Sequence, residues 1–143
     1  MTGDLFAAVT GHTVLRHSTA GDGWDDAAFD AALADTLSRP ERLATLLFAL
    51  RAEGLLHGMT DATARARLSG LLIGAELAAT RSYWLGQQIA VIGAGTLSRL
   101  YVAALSAQGA PATAVDANGI TLAGLCAAHA RLAASRAARA AMN

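Results

Sequence analysis

The chain has 143 residues, no lysine, and eleven arginines that balance eleven carboxylates. That length suits one domain with a buried core, and a neutral surface without a basic block excludes a nucleic-acid or anionic-membrane partner as the expectation. Cys126 is the single cysteine, which excludes an internal disulfide framework and a cysteine-rich metal site.

Much of the apolar content is alanine, which favours helix and buries little area per residue, so closely packed helices are expected. Thr2 is placed to cap a helix from about Asp4 to Val14, and Arg16 to Gly23 reads as loop. Asp25 or Asp26 caps the next helix, in which Phe29, Leu33 and Leu37 recur every four residues. Pro40 opens another, with Leu43, Leu46, Leu47 and Leu50 as its buried stripe and Gly54 as its stop. Gly58 to Asp61 turns the chain into a long helix capped by Thr60 or Asp61. On it, Gly70 and Gly74 lie one turn apart on one face, and each costs about 1 kcal/mol relative to alanine. Something must approach that face closely: another element of the fold, or else a ligand cleft or neighbouring domain.

Arg81 to Gly86 is a connector rich in bulky residues, and Ile89 to Ile92 reads as a strand. Gly93-Ala94-Gly95 ends it, and Thr96 to about Gln108 reads as a helix stopped by Gly109 and Pro111. Ala112 to Val115 is a second strand ending at Asp116; Ala117-Asn118-Gly119 then turns the chain into a final helix from Ile120 or Thr121. Its alanine and arginine tail after Ala133 is expected to fray. The result is a helix-rich α/β chain with a terminal β-α-β-α unit, its strands parallel and joined by a right-handed crossover. Two parallel strands make a poor sheet alone, so either further strands lie in the loops or the chain is part of a larger fold.

The strand, glycine turn and helix at Ile89 to Arg99 carry the chemical signal. Glycines let a ligand approach the backbone, and the free N–H groups of the following helix attract anions, so a nucleotide phosphate is the default ligand. A dinucleotide site is one reading: Gly93, Gly95 and Ser98 fill the G-x-G-x-x-G spacing with serine last, and Asp116 stands where a ribose-binding acid belongs. It predicts NAD binding that Asp116→Ala abolishes. A non-catalytic interaction domain that exposes the Gly70 and Gly74 face is another. His12, His17, His57 and His129 are scattered without ligand spacing, so no metal site built from side chains is expected. Glu76 and Asp116 are the best-placed carboxylates, yet neither is assigned a catalytic role. No basic leader followed by a long apolar run begins the chain, and Arg51, Glu53 and Glu76 interrupt the apolar stretches before the roughly 20 residues that span a bilayer. A cytoplasmic protein is expected.

Several motifs occur together in one order: MTGDLF at Met1 to Phe6, LRHS at Leu15 to Ser18, LSGLLIGAEL at Leu68 to Leu77, YWLGQQ at Tyr83 to Gln88, VIGAGTLSRLY at Val91 to Tyr101 and TLAGL at Thr121 to Leu125. In this combination the chain resembles the carboxyl-terminal half of bacterial 2-dehydro-3-deoxygalactonokinases, from Met1 to about Ala128. Asp4 stands where that family usually has glutamate. The resemblance implies an actin-like ATPase (ribonuclease H-like) sugar-kinase fold that moves the ATP γ-phosphate to the C6 hydroxyl of 2-dehydro-3-deoxy-D-galactonate in galactonate breakdown. It implies ATP and Mg2+ as cofactors, and it places Gly93, Ala94, Gly95 and Thr96 at the adenosine part of ATP. It further implies that residues 1–143 form a single, partial nucleotide-binding domain, since the amino-terminal domain with the sugar pocket, first phosphate loop and catalytic carboxylate has no counterpart here. On that expectation the chain has no catalytic residue of its own, meets the sugar acid only with the missing domain, and is inactive alone; association into a homo-oligomer stays open.

Overall fold

A computed structural model describes residues 1–140, with side chains through Ser135. Its centre is the helix that carries the two close glycines. The preceding helices are α1 (Thr2–His12), α2 (Asp26–Ser38) and α3 (Leu43–Leu56); α4 spans Asp61–Ala79. Gly70 and Gly74 let α2 lie directly on α4: a side chain at Gly70 would come within 2.9 Å of the Leu33 backbone nitrogen, and one at Gly74 within 2.6 Å of the Leu33 carbonyl oxygen. The Thr36 hydroxyl, buried at this crossing, donates to the Leu71 carbonyl at 2.9 Å. The close approach is therefore helix packing, and the alternative of a ligand cleft or domain face at these glycines is set aside.

Around α4 the core divides by direction. Phe29, Leu33 and Leu37 of α2 meet Ala66, Ile73 and Leu77, and this cluster continues to Trp84, Ala104 and Leu105. On the other side Leu68 and Leu72 pack with Leu15 and Leu50, flanked by Phe6 and Val9 of α1. Leu46 and Leu50 are buried as their stripe predicts, while Leu43 and Leu47 are half-buried beside them. Glu53 of α3 pairs with Arg67 of α4, and that guanidinium holds the Glu53 carboxyl below its ordinary range.

Several boundaries differ from the sequence expectation for identifiable reasons. Met1, not Thr2, precedes α1, because the Thr2 hydroxyl is used against Glu76 of α4 instead of capping its own helix. α1 ends at His12, short of the expected Val14, and Val14–His17 forms a 3-10 turn that runs into the expected loop, with the Thr13 hydroxyl accepting from the Leu15 N–H. Gly54 does not stop α3; it sits inside it, where a side chain would meet the Ser18 hydroxyl at 3.1 Å. The stop comes at His57, followed by Gly58 in a left-handed conformation (φ 65°). Asp25 caps α2 by accepting from the Ala28 N–H at 3.0 Å, and Thr60 caps α4.

Within the expected bulky connector, Arg81–Trp84 forms a one-turn helix, α5. Trp84 anchors it: the indole is buried and its N–H donates to the Leu77 carbonyl at 2.8 Å. Strand β1 (Ile89–Gly93), helix α6 (Gly95–Ala107) and strand β2 (Ala112–Asp116) follow. The strands are parallel, with Ile89 opposite Ala112 and Gly93 opposite Asp116. Among the described residues they form the whole sheet. Leu100 and Tyr101 of α6 lie with Ile89, Val91 and Ala112 against the main cluster, while Ile92 is exposed. The last helix, α7, starts at Ala117, earlier than expected, and runs to Ala140. Helix therefore continues past Ala133, where the tail is expected to fray, and residues 141–143 of that tail lie outside the described part.

Candidate functional site

β1 delivers the chain to the amino-terminal end of α6 through a turn that needs its glycines for different reasons. At Gly93 the constraint is space, since a side chain would collide with the Ser98 hydroxyl on the first turn of α6. Gly95 is constrained by conformation: its φ of 66° is left-handed, a region that costs other residues about 1 kcal/mol or more. No atom lies within 4 Å of where its side chain would be, so the backbone there is open to an approaching ligand. Ala94 precedes α6 in extended conformation and supplies no side-chain cap, which leaves the first N–H groups of the helix for an anion. Thr96 accepts from the Arg99 guanidinium at 3.1 Å. Gly93, Ala94, Gly95 and Thr96 thus form one continuous turn.

Two concavities flank it and share Leu97. The smaller, of about 310 Å³, is lined by Gly93 and Ala94, by Val91 and Ile92 of β1, and by Glu76 and Tyr101. The larger, of about 690 Å³, lies between α1, α4, α6 and the segment before α2. Thr96 and Arg99 reach it from α6, Arg65 and Ser69 from α4, Phe6 from α1, and Trp24 from the segment. The Arg65 guanidinium sits 5.4 Å from the centre of the Phe6 ring and donates to the Thr19 carbonyl at 3.0 Å. Trp24 donates its indole N–H to Asp26 at 2.9 Å. Two guanidiniums, aromatic surface and two carboxylates (Asp22 and Asp26) therefore face one cleft.

Glu76 stands at the divide between the two. Its Oε2 accepts from the Thr2 hydroxyl of α1 and, at 2.7 Å, from the Tyr101 hydroxyl of α6. Burial, reinforced by the adjoining Glu76 carboxylate, pushes the Tyr101 hydroxyl well above its ordinary pKa, so it stays protonated and donates. Asp116, the other carboxylate singled out in the sequence, is engaged differently. It caps α7, accepting from the Gly119 N–H at 2.8 Å and the Asn118 N–H at 3.3 Å. Nothing in this geometry supports the dinucleotide reading. Among the described residues no three His, Cys, Asp or Glu side chains gather as a metal site, and no helix is long and apolar enough to cross a membrane.

Sequence reasoning found the turn but not Thr2, Trp24, Arg65, Arg99 or Tyr101 around it. No local spacing links them, because they come from α1, α4, α6 and the segment before α2, which only the fold brings together.

Comparison with known proteins identifies the family. A family model described as 2-keto-3-deoxy-galactonokinase matches residues 1–128. The chain is 43% identical over 132 residues to a protein of Rhizobium meliloti (strain 1021) named probable 2-dehydro-3-deoxygalactonokinase, covering 90% of this chain and 43% of that one. It is 37% identical over 131 residues to the 2-dehydro-3-deoxygalactonokinase of Escherichia coli (strain K12), covering 87% and 43% respectively. A crystal structure from Sinorhizobium meliloti described under the same enzyme name superposes with a TM-score of 0.84 at 41% identity, over 92% of this chain and 45% of that one. The chain therefore spans less than half the length of the relatives it matches. Over nearly all of its own length it belongs to the 2-keto-3-deoxy-galactonokinase family.

Proposed function

We propose that this chain is the nucleotide-binding half of a 2-dehydro-3-deoxygalactonokinase with the actin-like ATPase fold. The Gly93–Thr96 turn receives the adenosine part of ATP, and the enzyme transfers the γ-phosphate to the C6 hydroxyl of 2-dehydro-3-deoxy-D-galactonate in cytoplasmic galactonate breakdown. The observation that carries this reading is the turn itself: backbone open at Gly95, an uncapped helix start, and a concavity on either side. An adenine nucleotide fits such a place, since phosphates favour free helix N–H groups and a base and sugar need walls.

Phosphoryl transfer depends on positioning and on stabilising charge around the γ-phosphate. The part of the relatives that this chain does not match accounts for more than half their length. That part brings the sugar pocket and the catalytic carboxylate, so residues 1–143 constitute one domain that binds nucleotide and does not phosphorylate the sugar acid alone. Mg2+ enters with the nucleotide; the described residues offer it no cluster of carboxylates, and no step is assigned to it.

Thermal unfolding with and without Mg-ATP, Mg-ADP and NAD tests the reading. Adenosine phosphates should raise the midpoint, with about 2.7 kcal/mol of stabilisation at a hundredfold excess over the dissociation constant. Selective stabilisation by NAD, or no response to any nucleotide, would refute nucleotide binding of the proposed kind. Rapid phosphorylation of the sugar acid by the 143-residue protein alone would refute its dependence on a second domain.

A further inference from the structure

We infer that Glu76 reads the ribose of the bound nucleotide, its Oε1 accepting a hydrogen bond from a 2′- or 3′-hydroxyl while Thr2 and Tyr101 hold Oε2 in place. This rests on the reading that the Gly93–Thr96 turn receives a nucleotide. An ionised carboxyl accepts hydrogen bonds and donates none. Both donations that Glu76 receives from side chains go to Oε2, one from α1 and one from α6. Anchoring from two separate helices holds Oε2, and among the described residues no donor reaches Oε1. Glu76 lines the same concavity as Gly93 and Ala94.

The charge decides which part of a nucleotide belongs there. A phosphate beside Glu76 would meet a like charge, whereas a sugar hydroxyl supplies the missing donor and forms a charge-assisted bond, about twice as strong as a neutral one. Val91, Ile92 and Leu97 give the same concavity apolar walls suited to the carbon face of a sugar. The phosphates keep the uncapped N–H groups at the start of α6. Glu76 thus sorts hydroxyl from phosphate at a turn whose backbone alone would favour the anion.

A site built to pair with a hydroxyl discriminates against the analogue that lacks it. Calorimetric titration of the full chain with Mg-ADP, 2′-deoxy-ADP and 3′-deoxy-ADP should show ADP bound at least about tenfold more tightly than one of the deoxy analogues. In Glu76→Ala, ADP affinity should fall to that of the rejected analogue, leaving a ratio within about twofold. Should Glu76→Ala fail to melt cooperatively, Glu76→Gln keeps the shape of the side chain and should reduce the ratio at least threefold, because the bond loses its charge assistance. Three outcomes overturn the inference. If the unmodified chain binds all three nucleotides alike, the nucleotide reading stands and the role of Glu76 falls. Equal loss for all three in Glu76→Gln means that the residue only supports the fold. If no adenosine nucleotide binds at all, the inference falls together with the reading beneath it.

Discussion

The helices α4 and α7 are both long, 19 and 24 residues, and both are rich in alanine and leucine, yet they are placed in opposite ways. Ala64, Ala66, Leu68 and Ile73 of α4 are fully enclosed, and elements on several sides pack against it. Every described side chain of α7 from Asn118 to Ser135 is exposed, including Leu122, Leu125 and Leu132 at about 60%. Composition does not separate them; the glycines do. On α4, Gly70 and Gly74 stand against the backbone of α2. Gly124 of α7 has nothing within 4 Å of its side-chain position, and Gly119 has only the Asp116 carboxylate that caps the helix. A glycine pair at helical spacing marks a crossing only where a partner backbone fills the space it leaves.

The sharpest way to break this contrast is Gly74→Ala. The new methyl would sit 2.6 Å from the Leu33 carbonyl oxygen, an atom fixed in the α2 backbone. A loss of about 3 kcal/mol or more is expected, visible as a fall in the urea midpoint at unchanged slope. A loss below about 1 kcal/mol would mean that α2 does not lie on α4 as described.

A smaller effect should come from pH, at the start of α2. The Ala28 N–H and the Thr63 hydroxyl donate to Asp25 and lower its carboxyl pKa, so the folded form holds its proton less tightly than the unfolded one. Its contribution is therefore complete above the ordinary aspartate pKa of about 4 and is lost as pH falls through the lower folded value. Melting midpoints of the unmodified chain and Asp25→Asn should differ most at neutral pH and converge below about pH 4. A gap that persists unchanged at pH 3 would show that the carboxylate charge is not what steadies the helix.

The smallest effect should follow from Leu122→Ala with Leu125→Ala on α7. Exposed side chains lose no core contacts, so the pair should cost no more than about 0.5 kcal/mol per site. A larger cost that grows with protein concentration would reveal that copies of the chain cover this face in solution, and would sharpen the contrast into one between internal and shared packing.

The same logic explains what could be read from the chain. Phe29, Leu33 and Leu37 announced α2 because burial on one side imposes a helical period, and the β-branched run before Gly93 announced β1. Gly54 misled because a stop glycine and a packing glycine look alike until Ser18 is seen beside it. Thr2 looked like a cap because only the fold brings Glu76 to it, 74 residues further along. The glycine turn was legible since its requirements are local. Its surroundings were not, because α1, α4 and α6 each contribute residues whose common destination is set by packing.

The two tryptophans give this architecture an optical consequence. Trp84 is enclosed, with its indole N–H on the Leu77 carbonyl, whereas Trp24 is 37% exposed and borders the larger cleft beside the Phe29 ring. Fluorescence from the chain is therefore a sum of two signals at different wavelengths: a blue emission that follows the integrity of the core, and a redder one that follows what enters the cleft. Replacing either indole by phenylalanine leaves a single built-in reporter, so unfolding and ligand occupancy can be watched separately without attaching a dye.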